Sequence, residues 1–338
     1  MKTTFKKSIV AIVVAGMQFA AFSQDIHFSQ FFEAPLLRNP SLAGIYTGDI
    51  RVQAVYRDQW NSVTNAYRTG SLNAEYKMPI GKMDDFITVG LQTLYDKAGS
   101  IGWTSVHILP ALNYHKSLSA EKSRYLSIGF MGGFVQRSFD RSKMTTNTQY
   151  DGGGDGEVLP NTQYSYLDGS VGMSYNASLN NKPGNNFFIG AAYHHFNNPK
   201  ISFYGDASVR LNPKWVFSGG LRFDVGDYAY LTVQADHSIQ GSFQETIGGM
   251  MYGLKLGGDP VNPRYTIHAG SFLRWNDALI PVVKLDYDHF SFAFSYDVNI
   301  SKLNLSSYGR GGFELSLTYI SFLDRDNSSL NAFKCPKF

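Results

Sequence analysis

The chain has 338 residues, 15% of them aromatic and 17% charged, with 33 glycines, one cysteine and a formal charge of +3. That charged fraction is below the roughly 25% of an ordinary soluble domain, and the near balance of signs gives no case for a nucleic-acid partner. A lone cysteine excludes an internal disulfide framework and a four-thiolate zinc site, leaving a β-rich, aromatic, weakly charged protein.

Residues 1–23 read as a secretory signal peptide. Lys2, Lys6 and Lys7 precede an apolar stretch from Ile9 to Ala21, and the small residues Ala21 and Ser23 frame a cleavage site that makes Gln24 the mature N-terminus. The apolar run is shorter than the ~20 residues that span a bilayer, which argues against an uncleaved anchor. No cysteine near the cleavage point supports a lipoprotein anchor. Nothing after residue 23 is an apolar run of helix-spanning length, so any passage through a membrane is by strands.

Residues 24–48 come next and hold Phe28, Phe31, Phe32, Leu36 and Leu37, followed by Asn39-Pro40 and Gly44. Exposing such an aromatic cluster is unfavourable. The segment is therefore expected to fold back as a plug that seals the periplasmic mouth of a barrel, with Asn39-Pro40 supplying the turn into the first strand.

From residue 49 to 322 apolar residues recur with a period of two. Phe290, Phe292, Phe294, Tyr296 and Val298 alternate with Ser291, Ala293, Ser295 and Asp297, and Leu167 to Tyr175 behaves likewise. Each such segment has one apolar face and one small or polar face. About fourteen segments can be read, near 50–58, 67–77, 86–95, 103–116, 124–138, 164–177, 187–196, 214–224, 228–238, 243–256, 264–275, 278–287, 289–298 and 311–322. Most reach the ~9–11 residues of a transmembrane strand, and the even number allows closure without free edges. Tyr76, Tyr175 and Tyr287 near segment ends suit an interfacial girdle. A secreted β-sandwich or propeller shares the alternation but uses shorter strands. The predicted fold is thus an all-β transmembrane outer-membrane barrel of about fourteen antiparallel strands with a short N-terminal plug.

The longest gaps, about 139–163, 197–213 and 299–310, follow the fifth, seventh and thirteenth segments. With both termini periplasmic, all three fall outside, where such barrels carry longer loops. Connections near Lys97-Ala98, Gly241 and Asn276-Asp277 are short, so one side of that rim should be low. Tyr150, Tyr164, Tyr166, Phe203 and Tyr204 are the aromatics in or beside these loops best suited to anchor a partner. Asp151, Asp155 and Glu157 lie among glycines and could wrap a calcium ion, although their spacing matches no calcium loop and a flexible acidic loop is the plainer reading. Arg51, Arg57, Glu75 and Lys284 fall on the lumen face, where they either set pore selectivity or pair with one another or with a plug. His194 and His195 are neighbours near a strand end and should face opposite sides, one lining the lumen and one at the interface. Asp236-His237 and Asp288-His289 are the nearest approach to a barrel hydrolase, but no nucleophile is placed by spacing. No cofactor is called for, and Cys335 marks a polar tail over 323–338.

In sequence order, Phe28-Ser-Gln-Phe, Asn39-Pro-Ser-Leu-Ala-Gly44, Tyr56-Arg-Asp-Gln-Trp60 and the closing Cys335-Pro-Lys-Phe338 together resemble the PorP/SprF family of the Bacteroidetes type IX secretion system. Ser41 departs from the alanine more usual there. The resemblance implies a non-enzymatic outer-membrane barrel that works with the secretion machinery in export and surface attachment of a large adhesin-like client. That client bears a C-terminal sorting domain and serves gliding motility. A short NPxLAG also occurs in barrels that take up fatty acids, so a passive channel or apolar-solute transporter is the alternative.

Overall fold

The computed structural model describes residues 25–59, 67–80, 84–119, 123–153, 156, 159–179, 184–260, 263–301 and 309–323. The signal peptide and the tail with Cys335 lie outside the described residues, as does Trp60. Among the described residues fourteen strands form: β1 Ile50–Gln59, β2 Tyr67–Ile80, β3 Asp85–Ala98, β4 Trp103–Ser119, β5 Arg124–Ser138, β6 Gln163–Ser178, β7 Asn186–His194, β8 Lys214–Gly226, β9 Ala229–Gln240, β10 Phe243–Leu256, β11 Tyr265–Arg274, β12 Ala278–Tyr287, β13 Phe290–Asn299 and β14 Arg310–Ser321. Every boundary lies within three residues of the alternation pattern.

Each strand pairs antiparallel with its sequence neighbours, and β1 pairs with β14 from Ile50 opposite Ser321 to Gln59 opposite Gly312. The sheet therefore closes on itself and leaves no unpaired edge in lipid. No helix among the described residues is long and apolar enough to cross a membrane.

The polarity of the wall is the reverse of a soluble barrel's. Along β2, Thr69, Ser71, Asn73, Glu75 and Lys77 are buried toward the lumen, while Leu72 is exposed on the outer face. Leu72, Val89, Ile128, Phe130, Leu167, Met173, Phe292, Phe294 and Leu317 stand on that outer surface at 39% exposure or more. An apolar outer band around a polar interior is what a lipid solvent selects.

Connections sort by end. The long ones, over 139–162, 195–213 and 300–309, share one rim, and two-residue turns at Asp227-Tyr228 and Asp288-His289 lie on the other. Asp288 takes a positive φ of 52°, which aspartate tolerates better than most residues. The loop over 139–162 carries a single helical turn, α2 (Asn147–Tyr150), closed by a capping box between Thr146 and Gln149.

The outer-face assignment has a direct check. Phe294→Arg near the middle of β13 is expected to cost about 2–4 kcal/mol of barrel stability. Urea titration of folding into lipid vesicles measures this; a neutral substitution would contradict a lipid-facing Phe294.

Candidate functional site: the lumen plug and the cup above it

Residues 25–48 build the centre of the molecule. They form a 3-10 turn over Phe31–Glu33, a single helical turn α1 over Pro35–Arg38 and a second 3-10 turn over Pro40–Leu42. Prolines open α1 and the second turn, where a missing N–H costs nothing. The Asn39 side chain caps the second turn by accepting from Ser41 N at 2.9 Å.

This segment does not stop at one mouth. Asp25 lies at the long-loop end, where its N–H donates to Gln240 Oε1 at 3.1 Å. The chain then descends the lumen and leaves it at Asp49, beside the start of β1 at the tight-turn end. The segment thus occupies the whole height of the lumen and is not the seal confined to one mouth that the sequence led one to expect. The reason is length. Two dozen residues with three tight turns span a strand's height, and inward polar residues along the whole wall offer partners at every level.

Near the top, Glu314 of β14 accepts from the backbone N–H groups of Ser29 and Gln30, both at 2.7 Å. Arg57 lies directly across the β1–β14 pair from Glu314. Its Nε is 3.1 Å from Glu314 and its Nη2 is 3.1 Å from Asp297. Arg274 reaches the same Asp297 oxygen at 3.1 Å and also bonds the Ser29 hydroxyl. Lower down, the plug's Glu33 takes Lys284 Nζ at 2.6 Å, Gln53 Nε2 at 3.2 Å and Thr318 Oγ1 at 3.1 Å. On the opposite wall Arg38 grips Asp236 with Nε at 2.7 Å and Nη2 at 2.6 Å, a two-pronged contact. At the exit, Glu75 accepts from Gly44 N at 2.8 Å and from Arg51 Nη2 at 2.6 Å, its cross-strand neighbour. Thus Arg51, Arg57, Glu75 and Lys284 all line the lumen, and each is matched by an opposite charge on the wall or plug.

Apolar contacts fill the spaces between these levels. Phe32 stacks on Phe272 at 5.1 Å, Phe31 meets the same ring edge-on at 5.4 Å, and Ile247, Ile280 and Val282 complete the cluster. Leu36 sits among Leu109, Met131 and Val135, and Phe28 against Val55 and Leu94. Glycines on β5 and β6 make room for the Asn39-Pro40 turn. A Cβ on Gly129 would lie 2.4 Å from the Pro40 carbonyl carbon, and one on Gly172 would lie 1.9 Å from Asn39 Oδ1. Gly44, with φ +83°, turns the chain toward the exit where a Cβ would strike Thr88 Oγ1 at 2.1 Å.

The two adjacent histidines behave differently from the strand rule. His194 ends β7 facing inward, with Nδ1 2.9 Å from Ser170 Oγ and Nε2 3.2 Å from the Arg38 carbonyl. His195 also turns inward, because its positive φ of 57° breaks the alternation. Its Nδ1 is 2.8 Å from Asp168 and its Nε2 2.6 Å from Asp25, so it latches the top of the plug. The Asn-Asn-Pro run right after Phe196 was the available signal that the strand ends there. Burial opposes charging His195, but the Asp25 carboxylate and the hydrogen bonds to Asp168 and Asp25 outweigh it and raise the imidazole to about 9. Burial likewise opposes the charge on Asp25, which the His195 imidazolium holds well below the ordinary carboxylate range.

Above the latch lies a cup of about 670 Å³, floored by Asp25, Ile26, His27 and Leu37 and walled by the long-loop ends of the strands. Of the five aromatics expected to anchor a partner, Tyr150 and Tyr204 are exposed, at 93% and 60%. Of the other three, Tyr166 is buried at 9% exposure and turned away from any partner on the rim, while Tyr164 is half-buried and stacks on it at 6.1 Å. Phe203 is packed edge-on against Trp103, Phe139 and Tyr164, pinning the 195–213 loop to the wall. Asp236 is engaged by Arg38, whereas His237 faces outward to Thr246 Oγ1 at 2.8 Å, so that sequence pair is split across the wall. His289 bonds the Ile320 carbonyl at the tight-turn rim. Asp151 is exposed, Asp155 and Glu157 lie outside the described residues, and no group of three metal-ligating side chains occurs among the described ones.

A family model described as "Type IX secretion system membrane protein PorP/SprF" matches residues 20–319. Among solved structures, the Pseudomonas putida toluene transporter TodX is similar at 11% identity and TM-score 0.50, over 85% of this chain and 92% of that one. The Ralstonia pickettii toluene transporter TbuX is similar at 10% identity and TM-score 0.45, over 85% and 92%. At 11% identity the likeness to TodX is one of fold. No curated protein matches the chain.

Two outcomes are expected. Glu33→Ala removes the nearer of two carboxylates from the Lys284 ammonium, leaving Asp286 at 3.9 Å, and should cost about 1–3 kcal/mol, read as a lowered urea midpoint of the reconstituted barrel. The His195 latch should weaken with alkali. Its folded pKa lies above its ordinary 6.5, so its contribution is complete below that value and is lost as pH rises through about 9. Hydrogen exchange at the Ile26 and His27 amides should accelerate above pH 9 beyond the intrinsic rise, and flat protection would count against the latch.

Proposed function

The chain belongs to the PorP/SprF family of type IX secretion system membrane proteins, and from that premise we propose a non-enzymatic role at the outer membrane. The barrel is a fixed post, with its long-loop rim toward the outside, that assists export and holds a large secreted adhesin-like client at the cell surface. The client carries a C-terminal sorting domain and serves gliding motility, while the tight-turn face meets the secretion machinery. The observation that carries this reading is the lumen filled from Asp25 to Asp49. Charged groups of plug and wall are matched at every level, as at Arg57–Glu314, Lys284–Glu33 and Arg38–Asp236. A continuous apolar path, which solute transport of the hydrocarbon kind needs, would have to break these pairs. The exposed Tyr150 and Tyr204 on the long loops are the rim aromatics offered to the client.

A deletion strain tests the role. Surface display of at least one large secreted protein should fall and return on complementation, whereas unchanged display of all of them would sink the proposal. Purified barrel in planar bilayers should show no conductance, and ion-conducting openings in the wild type would favour the channel alternative.

A further inference from the structure

Among the described residues, every ladder of the barrel but one joins strands that follow each other in sequence; the exception is the seam between β1 and β14. A hairpin brings its own strands together, whereas this seam must recruit a strand from the far end of the chain. Its closure therefore carries the largest cost in chain entropy. Until it closes, both strands present unpaired backbone to lipid.

The plug makes two contacts directly across this seam. Gln53 of β1 and Thr318 of β14 oppose each other in the ladder, and both donate to the same oxygen of Glu33, at 3.2 Å and 3.1 Å. Nearer the long loops, Arg57 and Glu314 are the opposed pair. There Arg57 Nη1 donates to the His27 carbonyl, and Glu314 accepts from Ser29 N and Gln30 N, both at 2.7 Å. Gln30 Nε2 donates to the Glu314 carbonyl and to Ser295 Oγ of β13, each at 3.0 Å. Glu33 and the four seam residues are buried to 4% exposure or less, so water is a poor substitute for these partners.

The other half of the plug rests on earlier strands. Gly44 N donates to Glu75 of β2 at 2.8 Å, Asn113 of β4 donates to the Ser41 and Ala43 carbonyls, and Ser174 of β6 donates to the Ser41 carbonyl at 3.2 Å. Ser29 to Glu33 instead turn their polar groups to β1 and to the last strands, where Lys284, Ser295, Asp297, Glu314 and Thr318 meet them. Two of these contacts join residues 285 positions apart. We propose that the plug is the clasp that closes the barrel: seated on the early strands, it receives β14 and sets it in register against β1. Closure of this kind is independent of what the rim binds.

Disulfide trapping reads the seam directly. In a Cys335→Ser chain, Ala54→Cys and Leu317→Cys oppose each other on the outer face of the seam. Ile128→Cys and Met173→Cys do the same on the β5–β6 hairpin, in a separate chain. Each chain is diluted from urea into lipid vesicles in one fixed thiol–disulfide buffer, and disulfide formation is timed. Gln30→Ala with Glu33→Ala should slow the seam disulfide about tenfold, the scale of one buried hydrogen bond, and leave the hairpin disulfide unchanged. Leu36→Ala, which removes packing against Leu109, Met131 and Val135, should leave the seam rate unchanged. Glu33→Gln keeps the size and one acceptor oxygen and should slow the seam less; it decides the outcome if the double variant forms neither disulfide. A wild-type seam rate in both Glu33 variants overturns the proposal. So does equal slowing of seam and hairpin, or a seam slowed as much by Leu36→Ala as by the double variant.

Discussion

Charge inside a closed wall is the constraint on which the rest depends. A barrel in lipid must turn its apolar side chains outward, so the polar half of each strand faces a lumen with limited water. There Arg57 and Glu314 are buried to 2% and 1% exposure. Removing either partner of such a pair leaves an uncompensated buried charge, at a cost of several kcal/mol. Part of the compensation is built across the sheet, since the register sets Arg57 opposite Glu314 and Arg51 opposite Glu75. The rest comes from the plug, whose Glu33 and Arg38 complete Lys284 and Asp236.

The plug in turn depends on the wall. Its turns are too short to satisfy their own backbone, so wall side chains do it: Glu314 takes two N–H groups, Glu75 takes the N–H of Gly44, and Asn113 donates to the Ser41 and Ala43 carbonyls. Neither part is well solvated without the other. That mutual dependence makes the lumen a structural core, with phenylalanine clusters between layers of ion pairs. The described part of the long-loop rim lies beyond this core. The 195–213 loop is tied down there by Phe203, while Tyr150 and Tyr204 stay exposed.

Legibility in the sequence followed the range of the interactions. Strand number and boundaries were readable because alternation is local, and the sign of each lumen position came with it. The aromatic run at Phe28, Phe31 and Phe32 was readable as something that must be covered. Its depth in the barrel was not, since that depends on partners such as Glu314 and Asp297 more than 260 residues away. His195 was missed because one left-handed residue overrides the two-residue period. Tyr166 and Phe203 look alike in sequence to Tyr150 and Tyr204, and only packing separates buried from exposed.

The sequence by itself therefore determined a fourteen-strand membrane barrel, its inside and outside faces, the presence of a covered N-terminal segment and the family resemblance. Each is encoded in patterns a few residues long. Tertiary structure alone decided that the segment fills the lumen from rim to rim and which charges cancel. It also decided that His195 turns inward and latches the plug through Asp25 and Asp168. Pairing of buried charges is a matter of distances of a few ångströms between residues far apart in the chain, and no local pattern carries that information.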